Sequence, residues 1–251
     1  MRWLSAALLL LPVAAQADLS DTIDKLKPSI VIVGTYRNTD SPRFGMRGTG
    51  FVAGDGNLVV TNAHVVQPRP DDGADRSLVV QVGAGSAGWQ MRRATLLETD
   101  GAHDLALLRI DGSALPTVAF HDSNAVREGQ SVAMMGFPIG GVLGFSPVTH
   151  RAMISSITPV SLPAATGQQL SAKVIRSLRN GSFNIFQLDG TAYPGNSGGP
   201  LFDPETGAVI GVVNMVFVKG TKESAITHPS GISYAIPSSY VRELIRSNRG
   251  G

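Results

Sequence analysis

The chain has 251 residues, a formal net charge of +2, 16% charged and 43% hydrophobic residues. That balance excludes a disordered chain, and so small a charge gives no reason to invoke nucleic acid as a partner. The sequence has no cysteine, which excludes disulfides, a thiol nucleophile and a thiolate zinc site, so an exported form must rely on its core.

Residues 1–17 read as an export signal. Arg2 is followed by an apolar run over residues 4–15, then Ala15-Gln16-Ala17 before Asp18. The run is shorter than the roughly 20 residues of a spanning helix. Cleavage after Ala17 is therefore expected, with no stable membrane insertion afterwards. Residues 19–26 read as a short helix ended by Pro28, and the β-branched stretch 29–34 as a strand. Residues 48–52 and 57–61 flank Ala53-Gly54-Asp55-Gly56 and read as a hairpin. A polar loop over 68–77 precedes strands at 78–82, 91–97 and 105–110. The polar stretch 120–129 joins two halves.

In the second half, strands are expected at 131–136, 153–157, 183–189, 208–218 and 231–236. Residues 159–180 read as a long loop with one strand near Val174. A final helix runs through Ile245, capped by Ser238 or Ser239, with Arg242 and Arg246 near its C-terminal end. The 29 glycines and 15 prolines supply turns for many short strands. No βαβ rhythm is present, so the predicted fold class is all-β, with two antiparallel barrels and a short C-terminal helix. The expected division is a signal over 1–17, an N-terminal barrel over 18–122, and a C-terminal barrel with its helix over 123–251. The two barrels form one unit.

The chemistry concentrates in Gly195-Asn196-Ser197-Gly198-Gly199-Pro200. A serine hydroxyl needs a base within hydrogen-bond reach and donors for the developing oxyanion. Glycines beside Ser197 clear space for substrate, and Pro194-Gly195 can turn the amides of Gly195 and Ser197 toward one spot. Upstream, His64 follows a strand-like segment, a setting unique among the five histidines. Asp104 precedes the aliphatic run Leu105-Ala106-Leu107-Leu108 and can hold the imidazole tautomer. The order His, Asp, Ser is that of a serine-peptidase triad. His103 beside Asp104 is read as surface, because adjacent strand residues point to opposite faces. His121, His150 and His228 lack metal-ligand spacing, and no metal or cofactor is expected. Residues 195–199 also fit the G-x-S-x-G pattern of α/β-hydrolases, but only His228 follows Ser197, and too little chain remains for that fold.

Several segments together carry a resemblance: Gly48-Thr49-Gly50-Phe51, Thr61-Asn62-Ala63-His64-Val65-Val66, residues 104–108, Gly136-Phe137-Pro138, residues 189–201, Val209-Ile210-Gly211 and residues 231–237. They resemble the trypsin-like serine peptidases and, within them, the bacterial HtrA/Deg branch. The pairing of the serine and histidine motifs is the specific part. The resemblance implies two six-stranded barrels of chymotrypsin type and polypeptide substrates. It implies His64 as base, Asp104 as its orienter, Ser197 as nucleophile, and the amides of Gly195 and Ser197 as oxyanion hole. It also implies a bacterial, periplasmic or secreted protein, monomeric or trimeric. The S1 pocket is expected between Thr191, Ala192 and Tyr193 on one side and Asn214, Val216 and Phe217 on the other. Thr191 falls where trypsin has its acidic pocket base, so apolar P1 side chains are expected. Asp189 is not assigned to the pocket. HtrA-type proteins usually continue into a PDZ domain, and this sequence stops soon after Pro237, so PDZ-based recognition is not carried over. The rival class is a catalytically silent protease fold used for binding or as a chaperone.

Overall fold

The computed structural model describes residues 18–69, 72, 75–83, 88–138, 145–159, 183–214 and 231–249. The export signal, residues 160–180 with the strand expected near Val174, the 215–218 end of another expected strand, and Val216, Phe217 and His228 lie outside the described residues.

The described strands close into two antiparallel barrels. The first holds β1 (Ile30–Tyr36), β2 (Phe44–Ala53), β3 (Leu58–Asn62), β4 (Ser77–Gly83), β5 (Trp89–Asp100) and β6 (Leu105–Ile110), in the order β1-β2-β3-β6-β5-β4. The second holds β7 (Ser131–Gly136), β8 (Val148–Pro159), β9 (Asn184–Asp189), β10 (Pro200–Phe202), β11 (Val209–Asn214) and β12 (Ile232–Pro237), in the order β7-β8-β9-β12-β11-β10. The second order is the first with every number raised by six. The halves thus share an architecture without an obvious sequence repeat. Three α-helices accompany the described strands: α1 (Leu19–Leu26), α2 (Ala63–Val66) and α3 (Ser238–Arg249).

Period-two alternation explains why β1, β3 and β6 read as unbroken apolar runs. Val31, Val33, Val59, Leu108 and Ile110 fill the first barrel. Their neighbours Ile30, Ile32, Leu58, Val60, Leu105 and Leu107 point outward into a core shared with Met135, Phe202, Val209, Val212 and Ile236 of the second barrel. Both faces of these strands are covered over residues 30–33, 58–60 and 105–108, so those runs carry no polar residue. Burying each such Leu or Ile stabilises the fold by about 1.5–3 kcal/mol. A separate cluster including Met134, Ile154, Phe186, Leu188, Leu201 and Ile210 fills the second barrel.

Helix α3 spans the join between the barrels. The Ser239 amide donates to Ser123 Oγ (3.0 Å), and Ser238 Oγ donates to the His121 carbonyl (3.1 Å). The expected local serine cap is therefore replaced by a hydroxyl more than a hundred residues upstream. Further along, Ser247 Oγ reaches the Glu98 carboxylate of β5 at 3.3 Å. Among the described residues no helix is long and apolar enough to cross a membrane.

Candidate active site

His64 lies in α2, the single turn that follows β3. The backbone carbonyl of Asp104 sets the start of that turn, accepting from the Ala63 amide and from Asn62 Nδ2, both at 3.0 Å. Its far end is clamped by Arg47, whose side chain is 3% exposed. Arg47 donates to the Gln67 carbonyl at 2.8 Å and pairs with Asp72. The Arg47 hydrogen bond holds the Asp72 carboxyl below its ordinary range.

The Asp104 carboxylate then accepts three N–H groups. Oδ1 takes the His64 backbone amide at 2.9 Å. Oδ2 takes His64 Nδ1 at 2.6 Å and Asn214 Nδ2 at 2.7 Å. A carboxylate facing Nδ1 requires that nitrogen to carry the proton, which leaves Nε2 as the free acceptor. Asp104 holds φ at +53°, alone among the described non-glycine residues, so its conformation is imposed by these partners. It sits in the turn between β5 and β6 rather than on a strand.

Ser197 is 5% exposed on the loop between β9 and β10. The Asn196 amide donates to the Tyr193 carbonyl, the Gly199 amide to the Asn196 carbonyl and the Gly198 amide to the Val213 carbonyl, each at 2.9 Å. The amides of Gly195 and Ser197 donate to no acceptor among the described residues. Two positive φ values shape the loop, +105° at Gly195 and +86° at Gly198. No hydrogen bond joins Ser197 Oγ to His64 among the described residues. Such contacts are often long in resting sites and tighten once substrate is bound.

Thr49 joins the serine loop to the first barrel. Its amide donates to the Ser197 carbonyl (2.8 Å) and its hydroxyl to the Gly195 carbonyl (2.6 Å). The same hydroxyl accepts from the Phe137 amide (3.0 Å), while Thr61 Oγ1 donates to the Thr49 carbonyl (2.7 Å). Sequence reading placed Thr49 in a supporting motif without a role. The glycines around it were the available signal. A Cβ on Gly48 would stand 2.9 Å from the Ser197 carbonyl oxygen, and one on Gly198 only 2.1 Å from that of Thr49. Gly198→Ala is expected to cost about 1–3 kcal/mol or more, because positive φ adds to the clash. A thermal melt checks this, and an unchanged melting temperature contradicts the close approach.

Of the expected S1 residues, Thr191 and Tyr193 are half-buried and Ala192 is buried. The Ala192 amide donates to Ser233 Oγ at 2.7 Å, and that hydroxyl donates to the Gly190 carbonyl at 2.6 Å, which fixes the segment. Asn214 is fully buried with its side-chain amide on Asp104, a contact that sequence reading did not foresee. Asp189 is exposed at the end of β9. His103 is not simply a surface residue. It lies in the turn, so strand alternation does not govern it, and its ring packs against Tyr240 and Phe183. Among the described residues no cluster of three or more His, Asp or Glu side chains is arranged to hold a metal ion.

Comparison with known proteins adds a family to this geometry. The trypsin-like peptidase domain profile matches residues 48–212. The chain is 33% identical over 191 residues to the "Probable periplasmic serine endoprotease DegP-like" of Pseudomonas savastanoi pv. phaseolicola, covering 76% of this chain and 32% of that protein. It is 29% identical over 231 residues to "Serine protease HTRA1A" of Danio rerio, covering 90% of this chain and 40% of that protein. The chain thus spans about a third to two fifths of the length of these curated relatives. The solved structure of the HtrA-type protease AlgW with tripeptide superposes with a TM-score of 0.65 at 23% identity, over 91% of this chain and 62% of that one. Two barrels of matching strand order, and a profile match running from the Thr49 motif through the serine loop, place this chain in the trypsin-like peptidase family, as a protease domain of the HtrA type.

Proposed function

We propose that this chain is an exported serine endopeptidase that cleaves polypeptides through an acyl-enzyme, with Ser197 as nucleophile, His64 as general base and Asp104 as its orienter. The observation that carries the reading is the Asp104 carboxylate, bonded at once to His64 Nδ1 and Asn214 Nδ2. In the first step Ser197 Oγ bonds to the scissile carbonyl carbon and its proton passes to His64 Nε2. The carbonyl oxygen becomes an oxyanion facing the free amides of Gly195 and Ser197. The C–N bond then breaks, and the imidazolium gives its proton to the leaving amine. Water attacks the resulting ester by the same route, releasing the acid and restoring the serine.

A fluorophosphonate probe tests the reading, because it bonds covalently to an activated serine. Folded wild-type protein is expected to be labelled at Ser197. An unlabelled but folded protein favours the second reading, a catalytically silent binding or chaperone module. That reading draws on the missing Ser197–His64 hydrogen bond and on the buried Asn196 amide, whose oxygen and nitrogen both lack partners.

Small or medium apolar side chains are the expected P1 residues. Thr191 and Ala192 bring no charge to the presumed pocket wall. Burying an unpaired Lys or Arg there is expensive, whereas an apolar group gains about 25 cal/mol per Å² buried. Selectivity is expected to be loose, since one methylene discriminates by about 1–3 kcal/mol. Digestion of a peptide library read by mass spectrometry reports the sites directly. Dominant cleavage after Lys or Arg contradicts an uncharged pocket.

The residues of the leader, together with the word periplasmic in the name of the Pseudomonas relative, support export to the periplasm or beyond. On this reading the mature protein begins at Asp18, and its barrels over 18–122 and 123–251 act as one peptidase unit. The N-terminal mass of the exported protein checks the cleavage point, and an uncleaved Met1 form outside the cytoplasm contradicts it.

A further inference from the structure

A second histidine–aspartate pair stands directly beside the first. Strand β5 ends at Asp100 and β6 begins at Leu105, so residues 101–104 form the turn that carries Asp104. The Asp100 carboxylate folds over this turn. Its Oδ1 accepts from the amides of Ala102 (3.0 Å) and His103 (3.1 Å), and its Oδ2 accepts from His103 Nδ1 at 2.5 Å. Burial pushes the Asp100 carboxyl up, but the side-chain and backbone hydrogen bonds from His103 outweigh it, so the group lies below its ordinary range.

The His103 ring is held from the other side by the second half of the chain. It stacks on Tyr240 of α3 with centroids 3.9 Å apart and planes 18° from parallel. Phe183, just before β9, meets it edge-on at 4.5 Å and meets Tyr240 at 5.5 Å. With Nδ1 on Asp100 and the ring stacked on Tyr240, His103 is not arranged as a second base for Ser197. Its neighbour Asp104 holds a φ of +53° that a non-glycine residue keeps only when its surroundings fix it.

We propose that His103 is a positioning residue: locked between Asp100 and the Tyr240–Phe183 aromatic pair, it holds the turn that presents the Asp104 carboxylate to His64. Helix α3 thereby acts on the catalytic base through His103 without touching substrate. This rests on the reading of Asp104 as the orienter of His64. A small displacement of that carboxylate weakens catalysis more than substrate binding, because the carboxylate acts on His64 and not on substrate.

The test compares purified full-length variants for kcat, KM and melting temperature on one peptide substrate. Tyr240→Ala and His103→Ala are each expected to lower kcat about tenfold with KM unchanged. Tyr240→Phe keeps the stacking ring and is expected to retain wild-type kcat. The double variant His103→Ala/Tyr240→Ala is expected to lose no more than the worse single one, since both remove the same contact. Val241→Ala serves as control: this side chain is fully buried on the same helix and, one position from Tyr240, faces another direction, so its loss lowers the melting temperature while leaving all three rings in place. Its kcat is expected to stay at the wild-type level. If Tyr240→Ala matches wild type in kcat, or Val241→Ala loses as much as Tyr240→Ala, the positioning role is overturned. Where His103→Ala fails to fold, the contrast between Tyr240→Ala and Tyr240→Phe decides. Asp104→Asn run alongside separates the two levels. A damaging Asp104→Asn with a harmless Tyr240→Ala removes the positioning role alone. A harmless Asp104→Asn removes the underlying reading and the positioning role with it.

Discussion

Ser197→Ala is expected to lower kcat by roughly 10⁴ to 10⁶ while leaving the fold intact. The change removes only one oxygen, and that oxygen makes no hydrogen bond among the described residues. The loop around it is held by backbone groups: the Ser197 carbonyl to the Thr49 amide, the Gly198 amide to Val213, and the Asn196 amide to Tyr193. Alanine keeps every one of these. The melting temperature should therefore hold while turnover and fluorophosphonate labelling vanish together. Wild-type-like turnover in a sample free of wild-type protein would sink the nucleophile assignment.

Asp104→Asn is expected to cost about 10⁴ in kcat with little loss of fold. Asparagine matches the shape and is among the few residues that tolerate positive φ, so the +53° backbone survives. The Asp104 carbonyl still accepts from Ala63 and Asn62. What changes is acceptor capacity. The carboxylate takes the His64 amide, His64 Nδ1 and Asn214 Nδ2 together, whereas an amide offers one oxygen and presents N–H groups of its own. The imidazole is driven toward the tautomer with its proton on Nε2, where it can no longer accept from Ser197. Steady-state kinetics on Asp104→Asn, His64→Ala and His103→Ala separate the roles. Equal damage from His103→Ala and His64→Ala, both folded, would mean that the base was wrongly chosen between them.

The barrels were legible in the sequence because covered strands leave unbroken apolar runs, as in β1, β3 and β6. The polar ends of strands were not. β8 begins at Val148, five residues before its apolar stretch, and Thr149, His150 and Arg151 join the ladder through backbone pairing with β7. Side-chain pattern carries no record of that pairing. β10 has only Pro200-Leu201-Phe202, too short to show a period. At the candidate site, glycines flagged the serine loop, since only a residue without Cβ fits where Gly198 meets Thr49. The Asn214–Asp104 bond spans 110 positions and leaves no local trace. His103 was misread because alternation was applied to a residue that sits in a turn.

The hydrogen bonds from Thr49 have a meaning for the life of the molecule before it is finished. His64 and Asp104 belong to one barrel, and Ser197 and Asn214 to the other, so a chain with both barrels built but not yet docked carries two harmless halves. On the proposed reading, destructive capacity requires the two barrels to be joined. A newly made copy is therefore no danger to unfolded siblings around it, and a damaged copy whose barrels part is disarmed by the same event.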